Sequence, residues 1–289
     1  MKSRQLRDFY KETSDLNNAF THYFFVWTQF TLDYTDDIAE SPDDLTETYF
    51  EGNHYAPKHR VRLKELSNEH AKTNETLLQG IFILILSHFE DYLKSIHEFS
   101  QKIDDTIKHL EQGEFEDDSL VIDKTLNRIG VDKASIAPEY FDTYDFLRLK
   151  RNRLVHKGSE KISKSIRDFI GKKGKGLNTF WKETLPKGLQ GIDFTSKEEM
   201  DKIEFNTLID TLNTLRGTSA KIDEAIIKKL GVVEISKKEV LPKFIEDTKT
   251  KLKRLSEKKV QSMFAGYCRT EYGFTPNENI VKQIVDDIA

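Results

Sequence analysis

The chain reads as an all-α protein. Three observations predict that class: long windows rich in Leu, Lys, Glu and Phe at helical spacing, only six prolines in 289 residues, and no run of short alternating strands. That length allows one large domain or two smaller ones, with a core that needs no covalent staples. A third of the residues are charged but the net charge is only −4, so overall charge selects no particular partner. A single cysteine, Cys268, excludes an intrachain disulfide and fits a reducing compartment. It is expected as a small buried hydrophobe.

A first helix is expected over Arg4 to Tyr34. The stretch from Asp33 to Glu51 then carries eight carboxylates and no Lys or Arg, which reads as a solvated acidic loop with a short helix. A second helix starts after Pro57 and runs to Phe99, either continuous or broken near Lys72. Two stretches are apolar enough to raise a membrane question. Phe20 to Leu32 is interrupted by His22 and Gln29, and Leu77 to Leu86 is about half a spanning length. Both read as core helices. The charged N-terminus has no signal-peptide pattern, so no membrane partner is expected and the expected location is cytoplasmic.

Asp104 to Asp118 is a polar, acidic insertion. Ser135 to Pro138 is a helix start, with Pro138 in the first turn, and the helix runs over Glu139 to Lys157 with Gly158 as its stop signal. The following basic segment ends in Gly171-Lys172-Lys173-Gly174-Lys175-Gly176. Leu177 and Asn178 stand where a phosphate-binding P-loop requires Lys and Ser/Thr, so a flexible basic loop is expected. A loop over Pro186 to Asp193 precedes a long helix, Ser196 to Leu230, closed by Gly231. Residues 236–289 read as two or three short helices broken around Gly273 and Pro276. The expected organisation is a helical domain over 1–232, with its motif-bearing core at about 60–230, and a small helical C-terminal module.

The helix over Phe141 to Gly158 is the most informative. At about 100° per residue, Tyr144, Leu147, Leu154 and Val155 share an apolar sector, with Phe146 and Leu149 outside it. Arg151 falls inside that sector and must snorkel or find an anion, because a buried unpaired charge is costly. Asn152 and His156 are four apart and share a neighbouring polar face. Arg151 and His156 are about 140° apart. One helix cannot easily aim both at a single atom, whereas two copies related by a twofold axis can.

Arg151-Asn152-Arg153-Leu154-Val155-His156, followed by Lys157 and Gly158, resembles the signature of the HEPN superfamily: an arginine, a polar residue, a short gap and a histidine near a helix end. Ser87-His88-Phe89-Glu90-Asp91-Tyr92-Leu93 resembles the family's upstream helix bearing a carboxylate. The resemblance implies a HEPN-like up-and-down helical bundle that dimerises with its motifs facing. In active members it implies metal-independent RNA cleavage, often by toxins or antiviral defence effectors. It covers residues 60 to 230 at most. The acidic insertion and the C-terminal module fall outside it.

Cleaving RNA without a metal or other cofactor uses the substrate's own 2′-hydroxyl as nucleophile. Histidine titrates near neutrality, so His156 suits proton transfer. Arginine keeps its charge and grips phosphate oxygens, so Arg151 suits stabilisation of the phosphorane. Asn152 can orient His156 or the phosphate, and Glu90 can fix Arg151 or move a proton. Between Thr143 and Gly176 eleven basic residues face three acidic ones. Arg148, Arg153, Lys157, Lys172, Lys173 and Lys175 are the expected RNA contacts in that strip. The expected partners are RNA and a second copy of the chain, with room for a neutralising or regulatory partner protein. Two other readings stand beside this one. In the first, a HEPN-like dimeric module binds protein or nucleic acid without cutting. In the second, an unrelated helical scaffold pairs Arg151 with a core carboxylate of its own chain.

His54, His59, His88 and His97 show no metal-ligand spacing. Trp27 and Trp181 are expected in the core.

Overall fold

A computed structural model describes residues 1–112, 120–156, 162–252, 255–279 and 281–282, with backbone alone over 249–252. The helices are α1 Arg4–Glu40, α2 Thr46–Tyr49, α3 Leu66–Ile103, α4 Val121–Ile129, α5 Pro138–Val155, α6 Lys164–Thr184, α7 Phe205–Leu230, α8 Val232–Ile235, α9 Leu241–Leu252 and α10 Glu257–Tyr272. Among the described residues there is no strand, only an isolated bridge between Leu45 and Arg62. No described helix is long and apolar enough to cross a membrane.

The third helix is the hub. From Leu78 to Ile103 it buries Phe82, Ile85, Leu86, Phe89, Leu93 and Ile96 completely, and α1, α4, α5 and α7 pack around it. It runs antiparallel to α1: Phe9 meets Phe89 and Tyr92 at one end, and Trp27 stacks on His70 at the other. On α7, the Tyr92 hydroxyl donates to the Ser219 carbonyl and the Tyr10 hydroxyl to that of Arg216. A buried row of Thr207, Thr211, Thr214, Thr218 and Ser219 gives α7 a narrow face against the core, and Thr211 and Thr218 satisfy their hydroxyls on carbonyls one turn back.

Several expected boundaries shift. The first helix continues through the acidic stretch to Glu40, because Phe30, Tyr34 and Phe50 form a chain of ring contacts that extends its apolar spacing. There is no break at Lys72, which pairs with Glu69 one turn away. The expected long helix from Ser196 starts only at Phe205. A single turn of 3-10 helix, Glu198–Asp201, precedes it, and Glu204 with Thr207 forms a capping box. The C-terminal segment does break at Gly273, whose φ of 65° closes α10 in the left-handed region. That segment joins the same core: Arg7 lies over the Tyr272 ring, and Phe264 and Cys268 are fully buried. Trp181 is fully buried, as expected, but Trp27 is only half-buried against His70.

The clearest correction concerns Gly171 to Gly176, expected as a flexible loop. These residues lie inside α6. Buried Phe169, Ile170, Leu177 and Trp181 recur at helical spacing on either side of them and hold the helix against α5. Trp181 donates its indole N–H to the Thr143 hydroxyl at 2.7 Å. Gly174 is required by close approach, since a Cβ there would lie 2.4 Å from the Phe194 carbonyl oxygen. At Gly171 and Gly176 nothing lies within 4 Å of an added Cβ. Gly174→Ala is therefore expected to destabilise by about 1–3 kcal/mol. Gly171→Ala and Gly176→Ala are expected to stabilise by about 0.5–1 kcal/mol. Chemical denaturation of the three variants checks this, and three similar losses would argue against a helix here.

Candidate functional site

Pro138 opens α5 at its first turn, where its missing N–H costs nothing. The helix then descends antiparallel to α3, with the Tyr144 ring packed on Phe89 at one level and Lys150 over Phe82 further down. It stops at Val155. His156 caps it with a non-helical φ of −106° and donates its backbone N–H to the Asn152 carbonyl. Lys157 and Gly158, expected to extend and end this helix, lie outside the described residues.

Arg151 finds its anion in Glu90 on α3. Its Nη1 donates to Glu90 Oε1 at 2.8 Å, and the Tyr144 hydroxyl donates to the same oxygen at 2.9 Å. The Arg151 and Glu90 side chains keep 23% and 21% of their surface, so the pair is held by packing yet reachable from solvent. Burial, then the Glu90 charge beside it, pushes the Tyr144 phenol upward, so it remains a proton donor. Tyr144 is a site residue that the sequence presented only as part of an apolar sector.

Asn152 is half-buried and His156 exposed, and no side-chain hydrogen bond ties either to another described residue. Val155 does not bury as expected: it is 53% exposed beside His156. Phe146, expected outside the apolar sector, is 1% exposed. The buried arc of α5 is thus rotated and widened toward Phe146, and a lysine falls in the middle of it.

That lysine is Lys150, 1% exposed, with Nζ 6.0 Å from the Phe82 ring centroid and no hydrogen-bond acceptor among the described residues. Burial pulls its amine down to about 8, against the opposing pull of Glu199, Glu204 and Asp201. Sequence reasoning missed it because a lysine on a helix reads as a solvated charge. Its position midway between Phe146 and Leu154 on the wheel was the available signal.

The expected RNA contacts divide. Arg148 pairs with Asp145 on its own helix at 3.0 Å, and Lys173 with Asp142 at 2.7 Å. Arg153 is bound by Asp201 through two contacts, 2.5 Å and 2.8 Å. Lys172 and Lys175 are exposed on α6. Among the described residues no group of His, Cys, Asp and Glu is arranged to hold a metal. His88 contacts Glu12 at 3.0 Å, and buried His97 contacts the Lys108 carbonyl.

Comparisons with protein-family models, curated proteins and solved structures return no match.

Lys150 makes a stability prediction with a definite sign. An amine at about 8 when folded and near 10.5 when unfolded binds fewer protons in the folded chain between those values. Stability should therefore rise with pH from about 8 to 10.5, by up to about 3 kcal/mol from this group. Lys150→Met should remove that rise and stabilise the protein at neutral pH by roughly 1–3 kcal/mol. Urea unfolding at pH 7 and pH 10 reads both effects, and equal pH slopes for wild type and variant would contradict the burial of this charge.

Proposed function

We propose that the chain is a metal-independent endoribonuclease that acts as a homodimer, with Arg151, Asn152 and His156 of α5 as its working residues and Glu90 as their support. The observation that carries this is an arginine fixed by Glu90 and Tyr144 on the same helix end as an exposed imidazole. The resemblance of this run to the HEPN signature, and of the Glu90 helix to its carboxylate-bearing partner, points the same way, including to a HEPN-like bundle.

In the proposed reaction the RNA 2′-oxygen attacks the adjacent phosphorus while His156 takes its proton. The 5′-oxygen leaves with a proton from a second acid, and a 2′,3′-cyclic phosphate remains. Arg151 neutralises charge on the pentacoordinate phosphorus. Glu90 aims the guanidinium, and Tyr144, kept protonated, holds Glu90. Support for pairing of two copies comes from the 140° or so between Arg151 and His156 around the helix. Support also comes from Val155, an apolar side chain 53% exposed next to His156 at the end of α5. Lys172 and Lys175 on neighbouring α6 suit a phosphate backbone. A toxin or antiviral defence role, restrained by a partner protein, fits such an activity.

A second reading has its own observation. Arg151 already has an intrachain carboxylate, Glu90, as a structural arginine in an unrelated helical scaffold would. RNA cleavage assays separate the two. Arg151→Ala and His156→Ala should each lower cleavage by about 100-fold or more. Products should carry cyclic phosphate and 5′-hydroxyl ends, and expression should be toxic unless either residue is replaced. Cutting by His156→Ala at the wild-type rate would end the catalytic proposal.

A further inference from the structure

A strap of acidic chain crosses the motif helix. It is the 3-10 turn Glu198–Asp201 with its flanks, packed directly on α5. Its Asp201 carboxylate grips the Arg153 guanidinium as a phosphate would, through two parallel contacts. Beneath it lies Lys150, whose buried ammonium feels Glu199, Glu204 and Asp201 but hydrogen-bonds to none of them. A buried ammonium bonded to no acceptor lacks the anion that such a group needs.

The strap is anchored by buried Met200 and Ile203 and presents its carboxylate at the surface. Met200 is fully buried, while Asp201 keeps 53% of its side-chain surface. Next to Asp201 a groove of about 510 Å3, lined in part by Asn74, Leu78, Ile203 and Glu204, opens to solvent. It brings outside space up to Asp201 and Glu204 of the strap.

We propose that Lys150 and Arg153 form a second phosphate site on the motif helix, for a nucleic-acid backbone, and that the strap carboxylates occupy it as an internal mimic until the strap lifts. This rests on the ribonuclease reading for its biological ligand, but the site itself is testable without catalysis. Lifting withdraws Met200 from its pocket, uncovers Lys150, one residue before Arg151, and takes the Asp201 carboxylate away from Arg153, two residues after it. The phosphate path would then run along α5 from Arg153 toward His156, about 60° away around the helix.

The probe is a short single-stranded 2′-O-methyl oligonucleotide, which lacks the attacking hydroxyl and is not cut. Glu199→Gln/Asp201→Asn should bind it about tenfold more tightly than wild type, with a salt slope steeper by roughly one. Lys150 should become several-fold more reactive toward acetic anhydride, read by peptide mass spectrometry, and the oligonucleotide should protect it. Adding Lys150→Met should cancel the gain in affinity. Unchanged affinity, with or without a change in Lys150 reactivity, overturns the proposal, as does a gain that survives Lys150→Met. If the double variant does not fold, Asp201→Asn alone decides by the same measurements. RNA cleavage is scored separately: absence of cutting with the expected binding gains removes the ribonuclease reading and keeps the strap, and cutting with no binding gain does the reverse.

Discussion

One carboxylate oxygen, Oε1 of Glu90, organises the motif-bearing half of α5. It accepts hydrogen bonds from Tyr144 and Arg151, two residues seven apart on α5, and so clamps that helix to α3 at a fixed height and rotation. Hydrogen bonds to a charged acceptor contribute about 1.5–3 kcal/mol each when sheltered. Here their effect is also geometric. With the rotation set, Arg151 lies at the edge of the core, Asn152 and His156 turn outward, and Lys150 turns inward.

The inward turn has a consequence for the chain that follows. Burial lowers the pKa of this amine, and the charges of Glu199, Glu204 and Asp201 in the segment leading into α7 oppose that shift. Glu204 also caps α7, so the same short stretch starts a helix and shields a charge. Asp201 adds the grip on Arg153. The acidic strap and the basic helix are thus a single electrostatic unit, even though they are about fifty residues apart in sequence.

Around this unit the scaffold is ordinary close packing. Aromatic contacts run from Phe9 through Phe89 to Tyr144, carrying the α1–α3 pairing into the site. On the far side, Trp181 anchors α6 to α5 through Thr143 and places its ring against Gly217 of α7. Rigid support on both flanks is what a preorganised cation needs if it is to meet a developing negative charge without rearrangement.

The amino-acid sequence by itself determined the helical class, the approximate positions of α1, α3, α5 and α7, the burial of Cys268 and Trp181, and the stop at Gly273. All of these follow from local periodicity and backbone preference. It also showed that Arg151 needs an anion, because its place on the wheel could be computed, and it offered Glu90 as a candidate. Only the tertiary structure decided that Glu90 meets Arg151 and shares Tyr144 with it. Tertiary packing likewise overrode the glycines of α6, whose loop-like composition lost to the apolar stripe of Phe169, Ile170, Leu177 and Trp181 pressed on α5. It also buried Lys150 on the inner face of α5. Which charges meet depends on how helices are rotated against one another, and that rotation is set by contacts between distant segments that no local pattern records.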